Sequence, residues 1–329
     1  HCENLSIVLL SDNLVSIGES AFSGCSNLNS IVLPHSLRYI GNNAFNQCKS
    51  LGSLVITENV ELIGKGAFSD CNNLVIEVCE TNKYFSVVGG ILIDQERRGI
   101  FVLRNIARGE YLIPERVRII EEALFKNCKH LQSVKIHGGV EEIRSHAFEN
   151  CKNLKTVELS NGLRMIGNEA FDNCVNLTAI NIPESVTDIG RRAFSNCISL
   201  VSVHLPQMIK TLRDELFSMC KRLEKVVLPE DLIVIGENVF EKCKAIKEIQ
   251  ISARNPHFFT LDGMLVDEYL SLVSIASSKK GQLSIPYGIL TIGNHAFNGK
   301  NITSVTLSNT VKMIRECAFE NCKSLNSID

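Results

Sequence analysis

The chain has 329 residues, 45% hydrophobic and 21% charged, with a formal net charge of −2. Such a composition supplies a large core, holds no apolar run long enough for a membrane-spanning helix, and has no basic block to grip nucleic acid or an anionic membrane. Thirteen cysteines without a tryptophan, and 15 phenylalanines against five tyrosines, are unusual counts that only position explains.

Residues 1–74 set the pattern. Phe22, Phe45 and Phe68 stand 23 apart, Cys25, Cys48 and Cys71 follow three residues behind, and Cys2 holds the same slot. One unit reads Leu28-x-x-Ile31-x-Leu33-Pro34-x-x-Leu37-x-x-Ile40-Gly41-x-x-Ala44-Phe45-x-x-Cys48. A fixed period of this length is the signature of a leucine-rich solenoid, in which each coil buries its apolar edge only against its neighbours. Ile31 and Leu33 alternate with polar or variable residues, so each coil is predicted to give one short strand to a stacked parallel sheet, ended by Pro34. Leu37, Ile40, Ala44 and Phe45 return from the opposite wall. Gly41, with Gly18, Gly64, Gly167, Gly190, Gly236 and Gly293, is expected where the backbone turns tightly or needs positive φ.

Residues 75–117 break the period, since the next column phenylalanine after Phe68 is Phe125. An apolar run, a polar turn near Asp94 and a second run, Ile100 to Leu103, read as a β-hairpin inserted into one coil. Residues 118–246 resume the repeat through Phe125, Phe148, Phe171, Phe194, Phe217 and Phe240. A second insert covers 247–289 and resembles the first: Asn82-Lys83-Tyr84-Phe85 matches Asn255-Pro256-His257-Phe258, and Ile113-Pro114 matches Ile285-Pro286. Residues 290–329 return to the repeat at Phe297 and Phe319. The chain is thus predicted to be a single β-rich leucine-rich repeat solenoid of 23-residue coils with two β-hairpin insertions. Neither end carries a polar capping coil, which suggests a fragment of a longer chain or ends that pack on another copy.

The string Ile-Gly-x-x-Ala-Phe-x-x-Cys-x-x-Leu, in about a dozen copies along nearly the whole chain, resembles the BspA-like (Treponema-type) leucine-rich repeat family. The resemblance implies a surface-exposed or secreted protein concerned with adhesion to host proteins or other cells.

An odd number of cysteines cannot all pair within the chain. Column neighbours at rung spacing lack disulfide geometry, so the column is read as free, buried thiols behaving as small hydrophobes. Cys79 falls where Leu33 stands and is expected in the core, whereas Cys317, in the slot of Asn43, is the candidate exposed thiol. Zinc is not expected, on the reading that no two cysteines stand at C-x₂₋₄-C spacing. His146 and His295 share a turn slot, the other histidines share none, and no nucleotide, zincin or hydrolase motif is present. No catalytic residue, cofactor or metal is therefore assigned.

Binding is expected on the strand face, where the position after the inward isoleucine varies. The central run Lys135, Glu158, Asn181 and His204 is the candidate face. The insert aromatics Tyr84, Phe85, Phe258 and Phe259 either form a local core or supply protein contacts. The reading is a non-enzymatic, extracellular or cell-surface module that binds a protein partner, a host matrix or cell-surface protein, with no nucleic acid and no membrane insertion. The alternative is a structural spacer with no ligand of its own.

Overall fold

The computed structural model describes residues 2–96, 98–102, 107–276 and 279–329; His1 and Leu103 lie outside them. It is a parallel β-solenoid of about 14 turns, with no helix among the described residues. Each coil gives one strand to a first wall and a two-residue strand to a second. In the coil of Thr156–Leu159, Val157 points inward from the first wall and Ile166 from the second. Register is the sequence period itself: Val134 pairs with Val157 on the first wall, Ile143 with Ile166 and Ile166 with Ile189 on the second. Apolar columns therefore run along the axis, and each is completed by the coils on either side.

The third side of the coil carries no strand, yet it also hydrogen-bonds along the axis. The amides of Asn43, Phe45 and Gln47 donate to the carbonyls of Lys65, Ala67 and Ser69 in the next coil at 2.9, 2.8 and 2.8 Å. In every coil the residues two before and two after the column phenylalanine hold positive φ, as at Asn43 (53°) and Gln47 (61°) or His146 (60°) and Asn150 (59°). Left-handed residues cost roughly 1–2 kcal/mol each when they carry a side chain, which is why asparagine is frequent there. The repeated glycine does something else. Gly41 has no positive φ; a Cβ built on it would lie 2.6 Å from the backbone N of Glu19 in the coil before. Close approach between coils is the reason for that glycine, and the tight turns lie on either side of the phenylalanine.

Within the central block the phenylalanine rings stack nearly parallel, at 4.9, 5.1, 5.5, 5.8 and 6.1 Å from Phe125 through Phe240. In the first block the separations are 5.4 and 5.8 Å, and after the second insert Phe297 and Phe319 return to 4.8 Å. Strand rungs are held at about 4.8 Å by their hydrogen bonds, so widening rings mean that the coils splay at this edge. At the first interruption the insert closes the stack with rings turned edge-on, Phe101 against Phe68 and Tyr111 against Phe125.

Column cysteines are free and buried from Cys25 to Cys243, but they are more than small hydrophobes. Each thiol from Cys151 to Cys243 donates to the carbonyl of the phenylalanine in the preceding coil, as Cys174 does to Phe148 at 3.2 Å. Burial pushes the thiols of Cys174, Cys197 and Cys220 well up and that of Cys243 up to about 12, so they stay protonated and able to donate. Cys79 departs from expectation. One residue is missing between Leu51–Leu54 and Leu74–Ile76, so Val78 pairs with Ile56 and Cys79 falls outside the strand, half-buried beside Thr81.

Each insert is larger than a hairpin. Phe85–Val88, Ile91–Asp94 and Arg98–Val102 form a three-stranded antiparallel meander, matched by Phe258–Leu261, Met264–Asp267 and Ser271–Ile275. The last strand of each continues the second wall, pairing in parallel with Ile119–Ile120 or Thr291–Ile292. The expected limits shrink accordingly, because Val75–Val78, Gly109–Leu112, Glu248–Gln250 and Gly281–Ser284 are ordinary first-wall strands. Asn82 and Asn255 pin the meanders: Asn255 donates to the carbonyls of Glu230 and Leu232 at 2.7 and 2.8 Å and accepts from the Phe258 amide at 2.7 Å. The meanders add rungs edge to edge to the second-wall sheet, and the ladders of both walls part at each insert. Among the described residues the first wall breaks between Val78 and Gly109 and again between Gln250 and Gly281.

Candidate functional site

Strand pairing brings the four sequence-selected residues onto one exposed face. Lys135 pairs in register with Glu158, and Asn181 with His204. Their backbones are fixed by the ladder and by Val134, Val157, Ile180 and Val203, which anchor the reverse side of the same strands in the core. Much of the charge is already matched. Lys135 Nζ lies 3.4 Å from Glu158, and His204 Nε2 lies 2.9 Å from Glu184. The Gln207 amide and the His204 ring hold the Glu184 carboxyl below the usual carboxylate range. Leu112, 62% exposed, pairs with Lys135 and gives the charged run an apolar border. Its place is open to sequence reading, one period before Lys135, but the insert obscures the count.

The insert aromatics divide. Phe85 and Phe258 are buried, packed into the core where the meanders meet the stack, so they do not offer contact surface. Tyr84 is half-buried and Phe259 is exposed. Tyr269 and Tyr287, at 75% and 79%, expose far more aromatic surface than any of the four.

Among the described residues two groups on the turn edge could hold a metal ion: His146 with Glu149 and Glu169, and His295 with Cys317 and Glu320, each with its ligand atoms within 4.8 Å of one another. They are built on the same turn slots of adjacent coils, so the shared position of His146 and His295 has a spatial meaning. Each offers three ligands, fewer than the four of a structural zinc site. Against the expectation from spacing, Cys317 and Cys322 do stand at C-x₄-C in the sequence. They do not share a site, because the Cys322 thiol is turned inward to the Phe297 carbonyl at 3.0 Å while Cys317 is exposed.

Two clefts open where the first wall divides. The first, about 660 Å³, is lined by Asp70, Asn72, Arg108, Cys128 and Lys129 among others. The second, about 490 Å³, is lined by Lys242, Lys244, Lys280, Lys300 and Lys323. Lys300 occupies the cysteine slot, three residues after Phe297, and is only 7% exposed. Burial pulls its amine down to about 8, against a smaller upward pull from the thiols of Cys243 and Cys322. The sequence signal is a missing cysteine in the column.

The model of the BspA type leucine rich repeat region matches residues 1–86, 104–178, 164–258 and 276–329, in six copies. No curated protein matches the chain. Among solved structures, a leucine rich cell surface protein of Faecalibacterium prausnitzii is 25% identical over 74% of this chain and 76% of its own, with a TM-score of 0.59. A leucine-rich repeat protein of Bacteroides ovatus is 24% identical over 99% and 73%, with a TM-score of 0.51. The pneumococcal vaccine antigen PcpA is 20% identical over 92% and 71%, with a TM-score of 0.52. The last two likenesses are of fold alone.

Proposed function

Because the chain belongs to the BspA-type leucine-rich repeat family, we propose that it is a non-enzymatic interaction module that binds a protein through its first wall. The observation that carries this reading is the run Leu112, Lys135, Glu158, Asn181 and His204: variable, outward-facing side chains on strands locked in register by a fully apolar reverse side. A rigid frame of this kind loses little ordering entropy on binding, so a modest number of contacts suffices. The cell-surface description of the Faecalibacterium relative supports placement on the cell surface or outside the cell, with a host matrix or cell-surface protein as partner.

A spacer is the second reading. It is favoured by the pairing of Lys135 with Glu158 and of His204 with Glu184, which leaves those charges satisfied without a partner. Binding of the purified chain to immobilised matrix proteins separates the two. Simultaneous replacement of Leu112, Lys135, Glu158 and His204 by alanine is expected to weaken a specific interaction at least tenfold, about 1.4 kcal/mol, with the fold unchanged. Binding that survives the replacement removes the first wall from the account, and no binding to any matrix protein favours the spacer.

A further inference from the structure

The two clefts are copies of one construction. The sequence offset that carries Phe125 onto Phe297 also carries Asp70 onto Lys242, Asn72 onto Lys244, Arg108 onto Lys280 and Cys128 onto Lys300. The same backbone device, a meander that adds rungs to the second wall where the first wall parts, thus frames two linings of different charge. The first mixes Asp70 with Arg108 and Lys129. The second has five lysines and, among the described residues, no carboxylate in its lining, although Glu241 touches Lys242 from outside it at 2.7 Å.

Lys300 distinguishes the second cleft from an ordinary basic surface. Every other described column slot from Cys25 to Cys322 holds a cysteine, the residue that fits between coils. A lysine there places an ammonium largely out of water, and negative charge entering the cleft stabilises its charged form. Its surroundings in the fold are mixed. The thiols of Cys243 and Cys322 lie near it, and it also lines a smaller hollow with Asp214, Glu237, Glu241, Asp267, His295 and Arg315. Together these leave burial the largest influence on the amine. The lysines and the carboxylates thus line two different hollows that share Asn298 and Lys300, and the lysine-lined cleft is the one whose charge suits an anion.

We propose that the second cleft binds a phosphate or sulfate group carried as a monoester on a molecule of about sugar size. Lysine ammonium groups are point donors suited to a tetrahedral oxyanion. The volume, about 490 Å³, exceeds a bare anion and falls in the range of small-molecule sites. The aliphatic stems of the lysines supply apolar wall for the body of the ligand. This site is independent of the first-wall interaction.

The test is calorimetric titration of the intact chain with inorganic phosphate, inorganic sulfate, glucose 6-phosphate and glucosamine 6-sulfate. At least one ester is expected to bind, with the preferred one identifying whether the source is a phosphorylated or a sulfated molecule. Lys300→Met, and separately Lys244→Asn with Lys280→Gln, should each weaken binding by about tenfold or more, while Arg108→Gln in the first cleft changes nothing. Near pH 8, titration in buffers of different ionisation enthalpy should reveal proton uptake that Lys300→Met abolishes. The rim lysines 242, 244, 280 and 323, the two thiols and the charged groups of the adjoining hollow remain in that variant, so the loss reports Lys300. Thermal melts of each variant establish that it is folded. No binding of any of the four probes at about 10 mM, or binding undiminished in both cleft variants, overturns the proposal.

Discussion

Between Phe125 and Cys243 the phenylalanine and cysteine columns repeat from coil to coil without a break; at Lys300 the cysteine column fails. The central block shows what translation alone can build: parallel strands in register, stacked rings, and thiols that each meet a phenylalanine carbonyl. The insert junctions show what translation cannot build, which is a concave, chemically distinct place. Identical neighbours make identical surroundings, so a cleft with its own charge requires the repeat to stop. The comparison teaches that stability and individuality lie in different parts of this molecule.

The sharpest way to break that contrast is to remove a ring from the uninterrupted stack. Phe171, buried between Phe148 and Phe194, should cost about 3–5 kcal/mol when changed to alanine. Phe319, which has one stacked neighbour and is partly exposed, should cost clearly less in the same chemical denaturation experiment. Equal losses would mean that the stack does not confer stability through both neighbours.

Glycine gives the next largest effect. Gly41→Ala forces a methyl against the backbone of Glu19 and should destabilise by about 1–3 kcal/mol, whereas Gly18→Ala, with nothing within 4 Å, should be close to neutral. A requirement for positive φ would instead penalise both equally.

Lys300 sharpens the comparison from the other side. Its folded-state amine titrates near 8, below the 10.5 of the exposed group, so the unfolded chain binds more protons between those values. The wild-type protein should therefore gain stability from this group as pH rises from about 8 to 10.5, and be penalised below that window. Lys300→Met should raise the melting temperature at pH 7, by about 1–3 kcal/mol of stability, with the advantage shrinking toward pH 10.5. A variant less stable than wild type at pH 7 would show that the amine is fully compensated in the fold.

Much of this was legible in the sequence because the period is both a chemical and a geometric repeat. The phenylalanine and cysteine columns within each block and the exposed run from Lys135 to His204 follow from counting by 23, and the outward thiol of Cys317 from its slot two residues before Phe319, one short of the period. Cross-coil ion pairs follow the same count, as in Arg118–Glu141 and Lys126–Glu149, although each is worth little at the surface. Counting failed where the cause lay outside the coil or the count itself slipped. The reason for Gly41 is the backbone of the preceding coil, which the unit taken singly does not contain. Cys79 was displaced by a single missing residue. The third strand of each meander went unrecognised because Phe85–Val88 and Phe258–Leu261 bury their first aromatic into the neighbouring stack instead of alternating cleanly. Lys300 was an absence in a row of cysteines, and absences are easily passed over.

The ring separations hold one more consequence. They drift apart from 4.9 to 6.1 Å over the central coils, about 0.3 Å per step, toward the limit of about 7 Å at which aromatic contact is lost. Beyond each meander the distance starts again, at 4.9 Å for Phe125–Phe148 and 4.8 Å for Phe297–Phe319. The meanders thus act as expansion joints. An array lengthened by extra repeat units without them would lose its aromatic seam within a few coils, which sets a natural upper length for any uninterrupted segment of this kind.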